Sequence, residues 1–62
     1  MPYVNIRIAG VLSREQKARI AEEITDTLER VGGKSRRYTY IAFEELPDAN
    51  WAIAGELLDE AD

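Results

Sequence analysis

The chain has 62 residues, with eight Lys and Arg against twelve Asp and Glu and a net charge of −4 at pH 7. A chain of this length makes one domain, residues 1–62, with a marginal core, and without cysteine or histidine it has no disulfide, zinc site or Ser-His-Asp triad. The acidic balance argues against nucleic acid and no apolar run could span a membrane, so we expect a cytoplasmic protein that is stabilised by assembly into an oligomer.

The first predicted element is a β-strand over residues 2–9, in the segment PYVNIRIA. Apolar side chains alternate there with polar or aromatic ones, which is the pattern of a strand with one apolar face. The apolar face carries Val4, Ile6 and Ile8, and the other face carries Tyr3, Asn5 and Arg7. Proline is tolerated at the start of such a strand because its missing N–H need not pair.

An amphipathic helix is predicted to begin at Ser13 or Arg14. Ser13 and Gln16 have the spacing of a capping box, in which each side chain accepts a hydrogen bond from the backbone N–H of the other residue. Glycine at 32 and 33 predicts the end of the helix, since glycine adopts the left-handed conformation of a C-terminal cap. A single apolar stripe runs between these ends. Its members are Ala18, Ile20, Ala21, Ile24, Leu28 and Val31.

The segment YTYIAFEEL predicts a second strand that begins at Tyr38. Thr39, Ile41 and Phe43 are expected on one face, with Tyr38, Tyr40 and Ala42 on the other. A turn is predicted at residues 47–50. The segment WAIAG then reads as a short strand or hairpin at a subunit interface, where Gly55 allows close backbone approach. The final ELLDEAD is either a frayed helical turn or disordered.

This order of elements predicts an α/β fold built on one β-α-β unit with parallel strands and a right-handed crossover. A single helix covers only one face of a two-stranded sheet, so the other face and the sheet edges need partners. That uncovered face is expected to carry Tyr3, Asn5, Arg7, Tyr38 and Tyr40. The pattern therefore predicts assembly before it predicts any chemistry.

Few residues are available for catalysis. Glu44 and Glu45 are adjacent in the second strand and must point to opposite faces, so they are interpreted as a solvated strand end. No glycine-rich phosphate loop opens the helix. The remaining candidate is the amino group of Pro2, which is exposed if Met1 is removed. An ordinary α-amino group titrates near 7.7–8.0, and burial lowers that value, so this amine is suited to general base catalysis near neutral pH.

Three segments, PYVNIRI, LSREQKARIAEEITDTL and EELPDANWAIAGEL, together resemble the 4-oxalocrotonate tautomerase family over nearly the whole chain. The resemblance implies protomers that pair into dimers, three of which form a homohexamer, and an isomerase that uses no cofactor and no metal. It implies that Pro2 is the general base, moving a proton in an enol or dienol of a small carboxylated 2-oxo or 2-hydroxy acid. It also implies that Trp51 forms an apolar wall of the site.

The substrate-binding arginines of the family do not carry over, because this chain has Leu12 and Tyr40 at their positions. Arg7, Arg36 and Arg37 are candidate replacements, each of which could instead be a solvated or interface residue. Tyr40 either donates a hydrogen bond to the enolate oxygen or packs in the strand. Trp51 could likewise only pack against a neighbouring subunit.

Two alternatives to the tautomerase stay open. A hydratase or dehalogenase of the same superfamily needs a carboxylate that activates water, and the NWAIA segment has no glutamate. An inactive oligomeric binding protein is consistent with the two missing arginines. Retention of Met1 would also abolish the proposed chemistry, because the nitrogen of Pro2 would then be a tertiary amide.

Overall fold

The computed structural model describes residues 1–60. Strand β1 (Tyr3–Ala9) is followed by helix α1 (Arg14–Gly32) and strand β2 (Tyr40–Leu46), and a hairpin of β3 (Ala52–Ile53) and β4 (Glu56–Leu57) comes last. Short 3₁₀ turns lie at Arg36–Tyr38, Asp48–Asn50 and Leu58–Glu60. The predicted α/β architecture is confirmed. In the terminal segment Glu56 and Leu57 form β4, and Leu58–Glu60 form a 3₁₀ turn, which agrees with the predicted alternative of a helical turn. The last two residues lie outside the described part of the chain.

The two long strands are parallel, and Tyr3 lies opposite Tyr40 while Ala9 lies opposite Leu46. This register gives the sheet two different faces, because side chains alternate along a strand. The helix face carries Val4, Ile6, Ile8, Ile41, Phe43 and Glu45, and it packs on α1. The open face carries Tyr3, Asn5, Arg7, Tyr40, Ala42 and Glu44.

Both ends of α1 form as predicted. The Ser13 hydroxyl accepts a hydrogen bond from the Gln16 N–H at 3.1 Å, and the Gln16 side chain accepts one from the Ser13 N–H at 2.9 Å. Gly33 caps the other end in the left-handed region, with φ 65° and ψ 22°. Ile20, Ile24 and Leu28 are half-buried, as expected. The inclusion of Val31 in the stripe is wrong, since it is 72% exposed in the last turn and no described residue covers it.

The second strand begins two residues later than predicted. The Tyr38 N–H donates to the Ser35 carbonyl at 3.2 Å and the Thr39 N–H donates to the Arg36 carbonyl at 3.3 Å, which closes a 3₁₀ turn. These N–H groups are therefore not free to pair with β1. The first N–H that does so belongs to Tyr40, which donates to the Pro2 carbonyl at 2.9 Å. Tyr38 consequently lies in the turn and not on the open face.

The predicted C-terminal hairpin is confirmed, with Ala52 opposite Leu57 and Ile53 opposite Glu56. Its two-residue turn has positive φ at Ala54 (53°) and Gly55 (83°), which is typical of the type I′ turns that connect twisted antiparallel strands. Gly55 suits this conformation because its φ of 83° lies in the left-handed region, and within one chain a Cβ at this position would meet no atom within 4 Å.

The chain exposes much more surface than a compact protein of its size. No residue among 1–60 is buried, and the accessible area is 5027 Å² for a mass of 7.0 kDa, where a compact monomer would expose about 4,000 Å². The radius of gyration is 14.8 Å, against roughly 10.5 Å expected for a compact domain of this length. Exposed apolar residues include Tyr3 and Tyr40 on the open face and Ile53 in the hairpin. No helix in the described range is long and apolar enough to cross a membrane.

Candidate active site

Pro2 lies immediately before β1, at the edge of the sheet where both parallel strands begin. Its carbonyl accepts the hydrogen bond from the Tyr40 N–H at 2.9 Å, and its ring is half-buried. The backbone around Pro2 is thereby fixed against β2. Since proline has no N–H, no ladder hydrogen bond is lost at this position. We call this end of the sheet the Pro2 edge.

Three tyrosines cluster near the Pro2 edge. Tyr3 and Tyr40 are directly opposite each other in the sheet, and Tyr38 lies in the preceding 3₁₀ turn. All three are more than half exposed, at 64%, 57% and 57% for Tyr3, Tyr38 and Tyr40. They supply aromatic surface together with hydroxyl groups that can donate hydrogen bonds. The sequence predicted Tyr40 as a site residue, and the register brings it beside Pro2.

The 3₁₀ turn that carries Arg36 is attached to α1 by that arginine. The Arg36 guanidinium donates to Asp26 at 2.8 Å and to Glu29 at 3.3 Å, and the Arg36 backbone N–H donates to Glu29 at 3.2 Å. The hydrogen bond to Asp26 raises the pKa of Arg36 further above its ordinary value. These contacts explain why the turn folds back toward the helix before β2 begins.

Arg37 is the next residue, and its surroundings are different. Its guanidinium carbon lies 5.6 Å from the centre of the Tyr38 ring, a cation–π distance. No carboxylate of residues 1–60 lies within ion-pair distance of Arg37. The side chain is exposed in the turn, three residues before Tyr40.

Arg7 lies on the open face, away from the Pro2 edge. It is five positions along β1 from Pro2, roughly 16 Å at the rise of an extended strand. Its Nε donates to Glu44 at 3.3 Å, and the Asn5 amide donates to the same carboxylate oxygen at 2.8 Å. The hydrogen bonds from Asn5 and then Arg7 lower the pKa of Glu44. Within one chain, Arg7 is not brought to Pro2.

Glu45 joins the sheet to the start of the helix. One carboxylate oxygen accepts from Lys17 Nζ at 2.6 Å and the other accepts from the Leu12 N–H at 2.7 Å, and the Glu45 side chain is only 23% exposed. The Lys17 contact, followed by that of Leu12, lowers the pKa of Glu45. Glu44 and Glu45 do point to opposite faces, as expected. The interpretation of Glu45 as a solvated residue is wrong, and the sequence signal for its partner was the inward position of Lys17 on α1.

Trp51 lies beyond the other end of the sheet. It follows β2, whose seven residues extend roughly 20 Å away from the Pro2 edge. The indole N–H is buried and has no hydrogen-bond acceptor among residues 1–60. Within one chain, the topology therefore separates Trp51 from Pro2.

The rest of the described chain offers few other sites. A shallow groove on α1, lined by Ala18, Arg19, Glu22, Glu23 and Asp26, contains none of the predicted site residues. No group of three or more acidic side chains within residues 1–60 is arranged to hold a metal ion. The Pro2 edge has the candidate base bonded to Tyr40 through its carbonyl, and the 3₁₀ turn with Tyr38 and Arg37 comes just before Tyr40.

Comparison with known proteins identifies the family to which the chain belongs. The profile of a family described as tautomerase enzyme matches residues 2–61. The chain belongs to the tautomerase family. A relative from Ralstonia nicotianae, a probable tautomerase, is 33% identical over 60 residues that cover 97% of this chain and 92% of the relative.

The solved structures give the same result. YwhB, a homologue of 4-oxalocrotonate tautomerase, superposes with a TM-score of 0.92 at 26% identity, covering 98% of this tautomerase and all (100%) of that chain. A heterohexamer 4-oxalocrotonate tautomerase from Chloroflexus aurantiacus has the same fold, with a TM-score of 0.89 at 21% identity and 100% coverage of both chains. The predicted family is confirmed, and the protein is an isomerase of the tautomerase type.

Proposed function

We propose that this tautomerase uses the amino group of Pro2, released by removal of Met1, as the general base on an enol or dienol of a small 2-oxo or 2-hydroxy acid. The observation that carries the proposal is the position of Pro2, half-buried at the start of a parallel sheet and bonded through its carbonyl to Tyr40. The chain has no histidine or cysteine that could serve as an alternative base.

The chemistry requires only the movement of a proton. The amine takes the proton of the enol hydroxyl, and the electron pair of that bond forms the carbonyl while the carbon–carbon double bond accepts a proton from the ammonium. Atoms and electrons balance without an oxidant or reductant, so we propose a reaction without a cofactor. An α-amino group with an ordinary pKa near 7.7–8.0 is neutral often enough at physiological pH to act in both directions.

The tyrosine beside Pro2 is proposed to stabilise the intermediate. As the hydroxyl proton leaves, negative charge develops on the oxygen, and a phenol donor within hydrogen-bond distance stabilises it. Tyr40 is suited to this role because its backbone is bonded to Pro2 itself. The substrate carboxylate requires a cation, for which Arg7, Arg36 and Arg37 are the candidates.

We propose that the working enzyme is a homo-oligomer, most simply a hexamer built as a trimer of dimers. The excess exposed surface of the chain and the aromatic open face support assembly, and the matching enzyme from C. aurantiacus is a heterohexamer. Trp51 and Pro2 lie at opposite ends of the sheet, so a site that contains both forms between copies. An acceptor for the indole N–H of Trp51 is then expected from a neighbouring copy.

The test is the ketonisation of the enol of phenylpyruvate by protein whose mass shows that Met1 is absent. Protein that retains Met1 has no basic nitrogen at Pro2, so its kcat should be about 100- to 10,000-fold lower, the range attributed to general base catalysis. Pro47→Ala, at the other proline, is the matched control and should keep the wild-type rate. Pro2→Ala still has a terminal amine once Met1 is removed, so it should lose less activity than protein that retains Met1.

Two outcomes contradict the proposal. Equal rates for the processed wild type and for protein that retains Met1 would show that the amine is not the base. A processed wild type that binds enols and ketonises none of them would instead support the inactive binding protein.

A further inference from the structure

Three arginines are candidates to bind the substrate, and two of them already have carboxylate partners in the chain. Arg7 is paired with Glu44 at 3.3 Å, and Arg36 is paired with Asp26 at 2.8 Å and with Glu29 at 3.3 Å. A guanidinium that is paired with protein carboxylates is less available to a second anion, because its positive charge is offset by the carboxylates it contacts. Arg37 has no such partner among residues 1–60.

The position of Arg37 also fits a ligand at the Pro2 edge. The 3₁₀ turn Arg36–Tyr38 leads directly into Tyr40, whose N–H is bonded to the Pro2 carbonyl. Arg36 attaches this turn to α1, and the Tyr38 ring lies 5.6 Å from the Arg37 guanidinium. The turn thus has one arginine that anchors it and one that is free, on adjacent residues.

We propose that Arg37 binds the substrate carboxylate and that the site accepts a single carboxylate, in a monoanionic enol with an apolar or unsaturated tail. This inference rests on the proposed function. A second carboxylate would need a second candidate arginine without a carboxylate partner, and Arg7 and Arg36 are both paired with carboxylates. The exposed rings of Tyr3 and Tyr40 offer the tail an aromatic surface, and the net charge of −4 disfavours a dianion.

Lys34 provides the matched control for this assignment. It carries the same charge in the same connection between α1 and β2, but its backbone N–H is bonded to the Leu28 carbonyl at 3.1 Å, which keeps it at the end of the helix. Removing its charge changes the general field of the protein as much as removing that of Arg37. A difference between the two variants therefore reports direct binding.

The experiment compares two dienols that differ by one carboxylate, 2-hydroxypenta-2,4-dienoate and 2-hydroxymuconate. We expect a higher kcat/KM for the monocarboxylate. Arg37→Gln should raise KM for the monocarboxylate about 10- to 100-fold, the loss expected for hydrogen bonds to a charged group, with a smaller change in kcat. Lys34→Gln should leave KM nearly unchanged.

Three results would overturn the inference. They are a preference for 2-hydroxymuconate, an equal rise in KM for Lys34→Gln and Arg37→Gln, and a larger rise for Arg36→Gln than for Arg37→Gln. Calorimetric titration with the unreactive monoanion 3-phenylpropionate separates this inference from the proposed base. Pro2→Ala should bind 3-phenylpropionate as the wild type does, whereas Arg37→Gln should lose most of the affinity. If protein that retains Met1 keeps full activity, only the assignment of the base fails, and the titration of Arg37→Gln still decides the inference.

Discussion

The two faces of the small sheet differ in how completely the residues of one chain cover them. On the helix face, apolar side chains of both strands pack on α1, and the only charged residue, Glu45, is held by Lys17 and the Leu12 N–H. On the open face, Tyr3 and Tyr40 are more than half exposed, and the Asn5 amide donates to Glu44 and to the Tyr3 hydroxyl while Arg7 donates to Glu44. Within a single chain the helix face is covered by α1. The open face needs contact with another surface to be covered.

Folding and function therefore have different structural requirements in this protein. The helix face depends on local features of one chain, namely the two caps of α1 and its apolar stripe. In the proposed oligomer a neighbouring copy completes the open face and the Pro2 edge, since Trp51 and Pro2 lie at opposite ends of the sheet within one chain. Perturbing the open face should therefore remove assembly and activity together, whereas perturbing α1 should change stability alone.

The largest effect is expected from Tyr3→Glu on the open face. A carboxylate there would be buried without a partner when two copies meet, at a cost of several kcal/mol for an uncompensated charge. Sedimentation should show the mass falling toward the 7.0 kDa of one chain, with loss of tautomerase activity. Thr27→Glu, at an exposed position of α1, should leave the sedimenting mass unchanged.

A second measurement uses only the wild type, so it does not require that a variant folds correctly. Its thermal midpoint should rise with protein concentration, because assembly stabilises only the folded state. If the wild type sediments as a stable monomer with a concentration-independent midpoint, the open face needs no more cover than the helix face, and the distinction between them fails.

A smaller effect is expected at the C-terminal end of α1. Gly33→Ala places a Cβ at φ 65°, which costs about 1–2 kcal/mol for an L-residue. Gly32→Ala is the matched control, because Gly32 is helical and alanine there should stabilise by about 0.4–1 kcal/mol. Chemical denaturation should give opposite signs for the two variants. The same sign in both would mean that Gly33 does not need its left-handed conformation.

The sequence predicted the features that depend on neighbouring residues and missed those that depend on distant ones. The Ser13 cap, the Gly33 cap and the alternation of β1 follow from local rules, and each is present. The start of β2 was misplaced because Arg36 contacts Asp26 and Glu29, ten and seven residues earlier respectively, and no local pattern indicates that turn. Alanine at 54 likewise gave no sign of the positive φ that it adopts. The pocket itself could not be predicted in full, since its other wall is expected from another copy.

The smallest effect is expected from the carboxylates Glu44 and Glu45. They are adjacent in β2 but lie on opposite faces, so they compare the two faces at neighbouring positions. Both pKa values are lowered in the folded state, Glu44 by Asn5 and Arg7 and Glu45 by Lys17 and the Leu12 N–H. A lowered folded-state pKa stabilises the protein above the unfolded value of about 4.3, and this stabilisation is lost as the pH falls through the folded-state pKa. Acidification below about pH 4.3 should therefore lower the thermal midpoint of the wild type.

Replacing each carboxylate in turn assigns that acid sensitivity to a face. Glu45→Gln and Glu44→Gln should each lower the midpoint at pH 7 and lie closer to the wild type at low pH, where the wild-type carboxylates are protonated. Within one chain the Glu44 side chain is 43% exposed and that of Glu45 is 23% exposed, so in a separate chain added salt would reduce the effect of Glu44→Gln more than that of Glu45→Gln, whereas in the proposed oligomer we expect an equal response. An equal response to salt would mean that Glu44 is as well shielded as Glu45. In that case the open face would already be covered in solution, and sedimentation of the same sample would identify a second copy as the cover.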